Sequence, residues 1–146
     1  MTSKNVITAA LVLFALAAIT ANLMRKGEQG RSDDLDTGDG VQVWYFHGDK
    51  RCDTCRAIEK RSHEVLEALP DEDRPPWRVI NFDDPGKTHF REDFGLMTSS
   101  LVLVELSKGR PVRHAVLEDV WLLTKEPDKF RAYVNRELKR FRENAP

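Results

Sequence analysis

Cys52 and Cys55 are the two cysteines of this 146-residue chain, and two residues separate them. Thiols at this spacing lie within one turn of each other on a helix, so they can close a disulfide, and a thiolate can attack another sulfur atom. A metal site is an alternative use, but His47 and His63 do not complete a standard zinc spacing around the pair. Two ordinary buried thiols are a further alternative. The spacing favours redox chemistry.

The sequence around the cysteines predicts a strand, a short polar turn and then a helix. Val41–Phe46 is an apolar, β-branched and aromatic run typical of a buried strand. After the cysteines, apolar residues recur on one helical face until Pro70 ends the pattern; they are Ile58, Val65, Leu66 and Leu69. Cys52 is therefore expected at the helix N-terminus, where unpaired N–H groups and the helix dipole favour a thiolate.

Charged residues of both signs surround the two cysteines. Lys50, Arg51 and Arg56 would stabilise a thiolate, whereas Asp49 and Asp53 oppose them. The expected net effect of these side chains on Cys52 is therefore moderate. A solvated charged loop with no tuning role is an equally simple interpretation of the same five residues.

The strand, exposed turn, C-x-x-C and helix resemble the thioredoxin superfamily, and the fuller likeness is to thioredoxin-like proteins of the ArsF type. It covers roughly Val41 to the C-terminus. Three segments carry it: Tyr45-Phe46-His47-Gly48 with Arg51, Cys52 and Cys55; Val79-Ile80-Asn81; and Ser99-Ser100-Leu101-Val102-Leu103-Val104.

The resemblance implies a role for each site residue. Cys52 would attack an oxidised sulfur partner, and Cys55 would resolve the mixed disulfide. Phe46 stands where thioredoxins commonly carry a buried aspartate, so the adjacent His47 is a candidate base. Arg51 replaces the usual tryptophan before the first cysteine. Ser99 and Ser100 stand where a loop with a cis-proline usually docks substrate, so Arg51 and both serines are candidate substrate-binding residues, with a trans bond before Ser100.

The resemblance also implies a setting. The redox-active disulfide would be the sole cofactor, no metal is expected, and a partner protein would supply electrons. The family is linked to reduction of nitroaromatic compounds and efflux of organic arsenicals beside a membrane permease. One alternative is a dithiol that binds a soft metal or trivalent arsenic and delivers it to a transporter. Another is a tethered interaction module with a structural disulfide.

Composition predicts one small domain, residues 41–146, with no nucleic-acid partner. The formal net charge of the chain is −1, and from Val41 onward 19 Lys plus Arg balance 19 Asp plus Glu. Without a basic field, binding to nucleic acid is disfavoured. Two cysteines are also too few for a secreted disulfide scaffold.

The first 40 residues predict a membrane anchor and a linker. Val6–Met24 carries no charge and, as a helix, would reach about 28 Å, near the thickness of a bilayer core. A cleaved signal peptide is the alternative, but the apolar run continues past Ala15-Leu16-Ala17, which favours an anchor over residues 1–26. Gly-rich and Asp-rich residues 27–40 predict a flexible linker. The expected location is the inner membrane, single-pass, with the domain outside the cytoplasm.

Beyond Pro70 the pattern predicts three more strands and two more helices. The strands are expected at Trp77–Asp83, Leu101–Leu106 and Pro111–Val116; the helices at Lys87–Leu96 and from Pro127 onward. Trp121-Leu122-Leu123 predicts an extra apolar turn covering the sheet edge. The predicted order, β-α-β-α-β-β-α after one transmembrane helix, is an α/β class and that of a thioredoxin-like fold.

Overall fold

The computed structural model describes residues 38–144, which form a four-stranded mixed sheet with helices on both faces. The strands, in the order in which they lie side by side, are β2 (Trp77–Asn81), β1 (Gly40–His47), β3 (Ser100–Ser107) and β4 (Arg110–Val116). The helices are α1 (Asp53–Glu67), α2 (His89–Asp93), α3 (Val120–Leu123) and α4 (Pro127–Glu143), and a 3₁₀ helix spans Asp71–Asp73.

The connections are those of a thioredoxin-like fold. β1 and β2 are parallel and are joined by the α1 crossover, whereas β3 runs antiparallel to both β1 and β4. α2 links β2 to β3, the hairpin β3–β4 follows, and α4 ends the described chain. The predicted order of these strands and helices is confirmed for the part of the chain that the structure describes. Two elements are additions: the predicted apolar turn forms the short helix α3, and a 3₁₀ helix spans Asp71–Asp73.

β1 lies at the centre because its residues are buried on both faces of the sheet. Val43 and Tyr45 belong to the core cluster under α1 and α4. Trp44 and Phe46 point to the opposite face, where their rings meet those of Phe90 and Phe94 from the α2 segment, with centroids 5.3–6.0 Å apart. Residues 42–46 of β1 are buried on both faces, so this strand fixes the position of the elements that follow it.

Several predicted boundaries differ from the structure by two residues at an end. α1 ends at Glu67 and not at Leu69, because the Arg74 guanidinium binds the carbonyls of Leu66, Glu67 and Leu69. β2 ends at Asn81 and not at Asp83, because the Asn81 side chain accepts a hydrogen bond from the Asp83 N–H and turns the chain.

The other two differences concern α2 and α3. α2 is limited to His89–Asp93, and Gly95, with φ of 65°, follows it. In α3, Val120 is buried and Leu123 packs against the core, but Leu122 is exposed. This turn therefore covers the core with three of its four apolar residues, Val120, Trp121 and Leu123.

The predicted anchor, residues 1–26, and most of the predicted linker lie outside the described residues. Within residues 38–144, no helix is both long enough and apolar enough to cross a bilayer. The last residues of the predicted linker contact the domain: the Gly38 carbonyl accepts from Gln42 Nε2 at 2.9 Å, and the Asp39 carboxylate accepts from the Gly109 N–H at 3.1 Å.

Candidate redox site

Cys52 and Cys55 form a disulfide at the N-terminus of α1, with their Cα atoms 5.0 Å apart. Cys52 is the N-cap residue, and its Sγ accepts the Cys55 backbone N–H at 3.0 Å. Cys52 is exposed, whereas Cys55 is 5% exposed and faces the core. The two sulfurs therefore differ in access: a partner reaches Cys52 first, and that sulfur already has the backbone donor that would stabilise its thiolate.

Two of the three cations expected to stabilise the thiolate, Arg51 and Arg56, are occupied by other groups, and the third, Lys50, is an exposed residue. Arg56 pairs with Asp53 at 2.6 Å and also donates to the Arg51 carbonyl at 2.8 Å. The Arg51 guanidinium is turned back along α1 and paired with Glu59. Stabilisation of a Cys52 thiolate therefore falls mainly to the helix N-terminus. The substrate-binding role of Arg51 stays a prediction, and its guanidinium is already paired with Glu59.

His47 lies at the end of β1, on the same face of the sheet as Tyr45. Its Nδ1 lies 3.0 Å from the Gly48 carbonyl, so Nδ1 carries the proton in the neutral ring and Nε2 is the acceptor. The His47 and Tyr45 rings are 6.3 Å apart. Among the described residues the hydrogen bond of this ring goes to Gly48 and not to either sulfur, so the role of His47 as a base stays a prediction.

Tyr45, and not Phe46, is the strand residue directly against the dithiol. Its hydroxyl donates to the Cys55 carbonyl at 2.6 Å, while the Phe46 ring lies on the other face of the sheet among the α2 aromatic rings. Burial raises the pKa of the Tyr45 phenol, against smaller lowering effects from a Ser99 hydrogen bond and the Arg51 charge. The position of Tyr45 could have been predicted from the sequence, since alternation along β1 places Val43, Tyr45 and His47 on one face.

The two candidate serines have different surroundings. Ser99 is buried, its side chain hydrogen-bonds to the Tyr45 oxygen, and its carbonyl accepts from Trp121 Nε1 at 3.1 Å. Ser100 pairs with Phe46 in the β1–β3 register and its hydroxyl donates to the Thr98 carbonyl at 2.8 Å. The peptide bond before Ser100 is trans, as expected. Ser99 is thus connected to Cys55 through Tyr45, whereas the Ser100 hydroxyl is bound to the Thr98 carbonyl.

Asp83 holds the turn that precedes Cys52. One carboxylate oxygen accepts the Asp49 N–H at 2.9 Å, and the other accepts from Arg91 at 2.7 Å. The Arg91 hydrogen bond is the largest effect that lowers the pKa of Asp83, followed by the Asp49 N–H. A Cβ on Gly48 would lie 2.6 Å from the Asp83 carboxylate, so this close approach requires glycine. Asp83 was not predicted as a site residue, because this contact joins positions 34 residues apart.

No family model matches the chain, and no curated protein matches it. Solved structures of thioredoxins are similar to it. Thioredoxin O2 from Arabidopsis thaliana in the oxidized state is 19% identical, with 73% of this chain and 88% of that chain covered and a TM-score of 0.43. A thioredoxin from Thermus thermophilus is 17% identical, with 70% and 73% covered and a TM-score of 0.43.

A third similar structure is Trxlp from Edwardsiella tarda, which is 19% identical, with 69% of this chain and 89% of that chain covered and a TM-score of 0.38. The fold assignment itself follows from the strand order β2-β1-β3-β4, the parallel β1–α1–β2 crossover and the antiparallel hairpin. With the disulfide at the start of α1, residues 38–144 are a thioredoxin-like domain carrying a C-x-x-C disulfide.

Proposed function

We propose that the chain is a thiol–disulfide oxidoreductase in which Cys52 is the attacking thiol and Cys55 the resolving thiol. The single observation that carries this proposal is the asymmetry of the pair. Cys52 is exposed and accepts a backbone N–H at the start of α1, whereas Cys55 is buried behind it. A disulfide that only held the fold together would need neither the exposed sulfur nor the helix N-terminus behind it.

The reaction is an exchange of sulfur bonds. In the reduced protein, the Cys52 thiolate attacks a disulfide of the substrate, forms a mixed disulfide and releases one substrate thiolate. The Cys55 thiolate then attacks the Cys52 sulfur, which closes the Cys52–Cys55 bond and releases the second thiolate. The substrate gains two electrons and the domain loses two. A dithiol protein supplies electrons for the next turnover by the same exchange.

Replacing each cysteine by serine tests the roles. Cys55→Ser should capture partners as stable mixed disulfides, because the thiol that releases them is gone. Cys52→Ser should neither capture nor turn over. A dithiol that binds soft metal or trivalent arsenic for delivery would instead lose binding about equally in both variants. Trapping by Cys52→Ser alone would reverse the assignment.

We further propose that the domain is tethered to the inner membrane and acts beside a permease in reduction of nitroaromatic compounds and efflux of organic arsenicals. The support is the uncharged run Val6–Met24 and the three segments that resemble ArsF-type proteins. Intact-mass analysis of the native chain tests retention of the anchor, and a mature form starting at Ala18 would contradict it. Growth on nitroaromatic and organoarsenical compounds with and without Cys52→Ser tests the substrate class. Equal growth in both strains would exclude it.

A further inference from the structure

The hydroxyl of Tyr45 connects the resolving cysteine to the loop before β3. It donates to the Cys55 carbonyl at 2.6 Å, and the Ser99 side chain hydrogen-bonds to the same oxygen. The Tyr45 ring is fully buried and stacks on Trp77, with centroids 6.3 Å apart and planes 15° apart. The ring therefore cannot turn away from the dithiol without breaking core packing.

The contact falls on the cysteine that most needs to be positioned. Cys52 is held by its place at the helix start, where its Sγ accepts a backbone N–H. Cys55 must bring its sulfur onto Cys52 each time a mixed disulfide is resolved, and that step depends on a well-oriented geometry. A short hydrogen bond to the Cys55 carbonyl fixes the backbone from which that sulfur projects.

We propose that Tyr45 is a positioning residue that holds Cys55 for attack on the mixed disulfide, an inference that rests on the proposed function. In the step it assists, the Cys55 thiolate bonds to Cys52 Sγ and the substrate thiolate leaves; the Cys55 proton has gone to solvent. The Tyr45 phenol keeps its own proton, because a phenol is a weak acid that stays neutral near pH 7 and donates one hydrogen bond. Tyr45 acts on the resolving step and not on capture.

Dithiodipyridine separates the two steps in the reduced full-length chain. Attack by Cys52 releases the first pyridinethione, and ring closure by Cys55 releases the second. In Tyr45→Phe the first release should keep its rate and its pH profile. The second should slow by roughly threefold to tenfold, the range expected for one lost buried hydrogen bond. In glutathione buffers the disulfide should be easier to reduce by a similar factor, and a tenfold change corresponds to about 30 mV.

Tyr133→Phe is the matched control. Tyr133 is the other tyrosine of the chain, is also buried, and accepts a hydrogen bond from the backbone of Asp119, whereas the hydroxyl that donates to Cys55 is that of Tyr45. It should lower thermal stability without changing either release rate. Equal slowing of the second release in Tyr133→Phe, or no slowing in Tyr45→Phe, would overturn the positioning role.

Ser99→Ala extends the test without disturbing the ring. It removes the second hydrogen bond on the Tyr45 oxygen and should slow the second release by a smaller factor. If Tyr45→Phe fails to fold, Ser99→Ala becomes the deciding test of the positioning role. An unchanged rate of the second release in Ser99→Ala would then overturn the inference. Absence of the first release in the wild-type chain near neutral pH would instead contradict the proposed function, and the positioning role would fall with it.

Discussion

At the scale of single residues, one atom of Cys52 combines a proposed chemical role with an observed structural role. Its sulfur is the proposed attacking atom of the dithiol and is also the N-cap acceptor of α1. A thiolate released by reduction would keep the second function, since an anion at this position is stabilised by the N–H groups and by the helix dipole. Chemistry and helix stability are therefore linked at Cys52.

This double function predicts a stability difference between two variants. Cys52→Ser retains an oxygen that can accept the Cys55 N–H, whereas Cys52→Ala does not. In reducing buffer we expect Cys52→Ala to have a free energy of unfolding about 0.5–2 kcal/mol lower than Cys52→Ser. Urea unfolding followed by circular dichroism measures it. Equal stability of the two variants would show that position 52 does not cap the helix.

The two buried tyrosines predict how stability depends on high pH. Burial raises the pKa of both Tyr45 and Tyr133 above the ordinary value of 10.0. Their neutral forms therefore stabilise the folded chain fully below pH 10, and that stabilisation is lost as the pH rises through the folded values. The free energy of unfolding should fall above pH 10 in the wild type. It should fall less steeply in Tyr45→Phe; an unchanged slope would contradict the assignment.

Some features of the site could be predicted from the sequence, and others could not. The C-x-x-C and the helix start were predictable, because they depend on spacing along the chain. Alternation along β1 contained the information that Tyr45 faces the dithiol, although matching by position pointed to Phe46. The pairing of Arg51 with Glu59 was not predictable, because the turn before Cys52 must first fold back along α1.

At the scale of elements, the β3–β4 hairpin has a tight turn with one unfavourable residue. Lys108 and Gly109 have φ of 52° and 69°, the positive values of a two-residue type I′ turn. Glycine adopts this conformation freely, but lysine does not. The Asp39 carboxylate accepts the Gly109 N–H, so the turn also holds the chain ahead of β1.

Replacing Lys108 should therefore stabilise the hairpin. Asparagine tolerates positive φ, and we expect Lys108→Asn to raise the free energy of unfolding by up to about 1 kcal/mol. Lys108→Ala is the control, because it removes the same charge but keeps the backbone cost, and it should bring no gain. Equal gains in both variants would mean that the lysine charge, and not its φ, is unfavourable. Chemical denaturation of the three proteins gives the comparison.

Element order was easier to predict than element ends. Sequence pattern located all four strands and three of the four α-helices of residues 41–144, since it reflects burial over many residues. The fourth helix, α3, was predicted only as an apolar turn, and the 3₁₀ helix at Asp71–Asp73 was not predicted. The end of α1 depends on Arg74, a residue beyond Pro70 whose guanidinium binds two carbonyls of the last turn and the Leu69 carbonyl just after it. The end of β2 depends on the Asn81 side chain. Such contacts of one side chain leave no periodic signal.

At the scale of the whole molecule, the two faces of the sheet are covered differently. α1 and α4 pack on one face, over the core cluster that includes Val43 and Tyr45. The other face is covered by the short α2 segment, whose Phe90 and Phe94 pack on Trp44 and Phe46. Large aromatic side chains thus compensate for the small size of the covering segment.

The boundary of the domain gives a prediction for limited proteolysis. The composition of residues 27–37 predicts a flexible segment, whereas Gly38 and Asp39 are hydrogen-bonded to the sheet. Brief digestion of the full-length chain should cut before Gly38 and leave a stable fragment of the remaining residues. Mass spectrometry identifies the cut. First cleavage between Gly40 and Asn81 would place the boundary elsewhere.

The position of Gly38 and Asp39 also determines how the protein can be immobilised on a surface. They lie at the start of β1 and the disulfide lies beyond its other end, so eight residues of strand, about 23 Å from Gly40 to His47, separate the two. A chain coupled through a tag ahead of Gly38 to a gold electrode or a bead would present its sulfur pair to the solution. Electron transfer to soluble dithiols could then be recorded on an immobilised layer without blocking the reacting atoms.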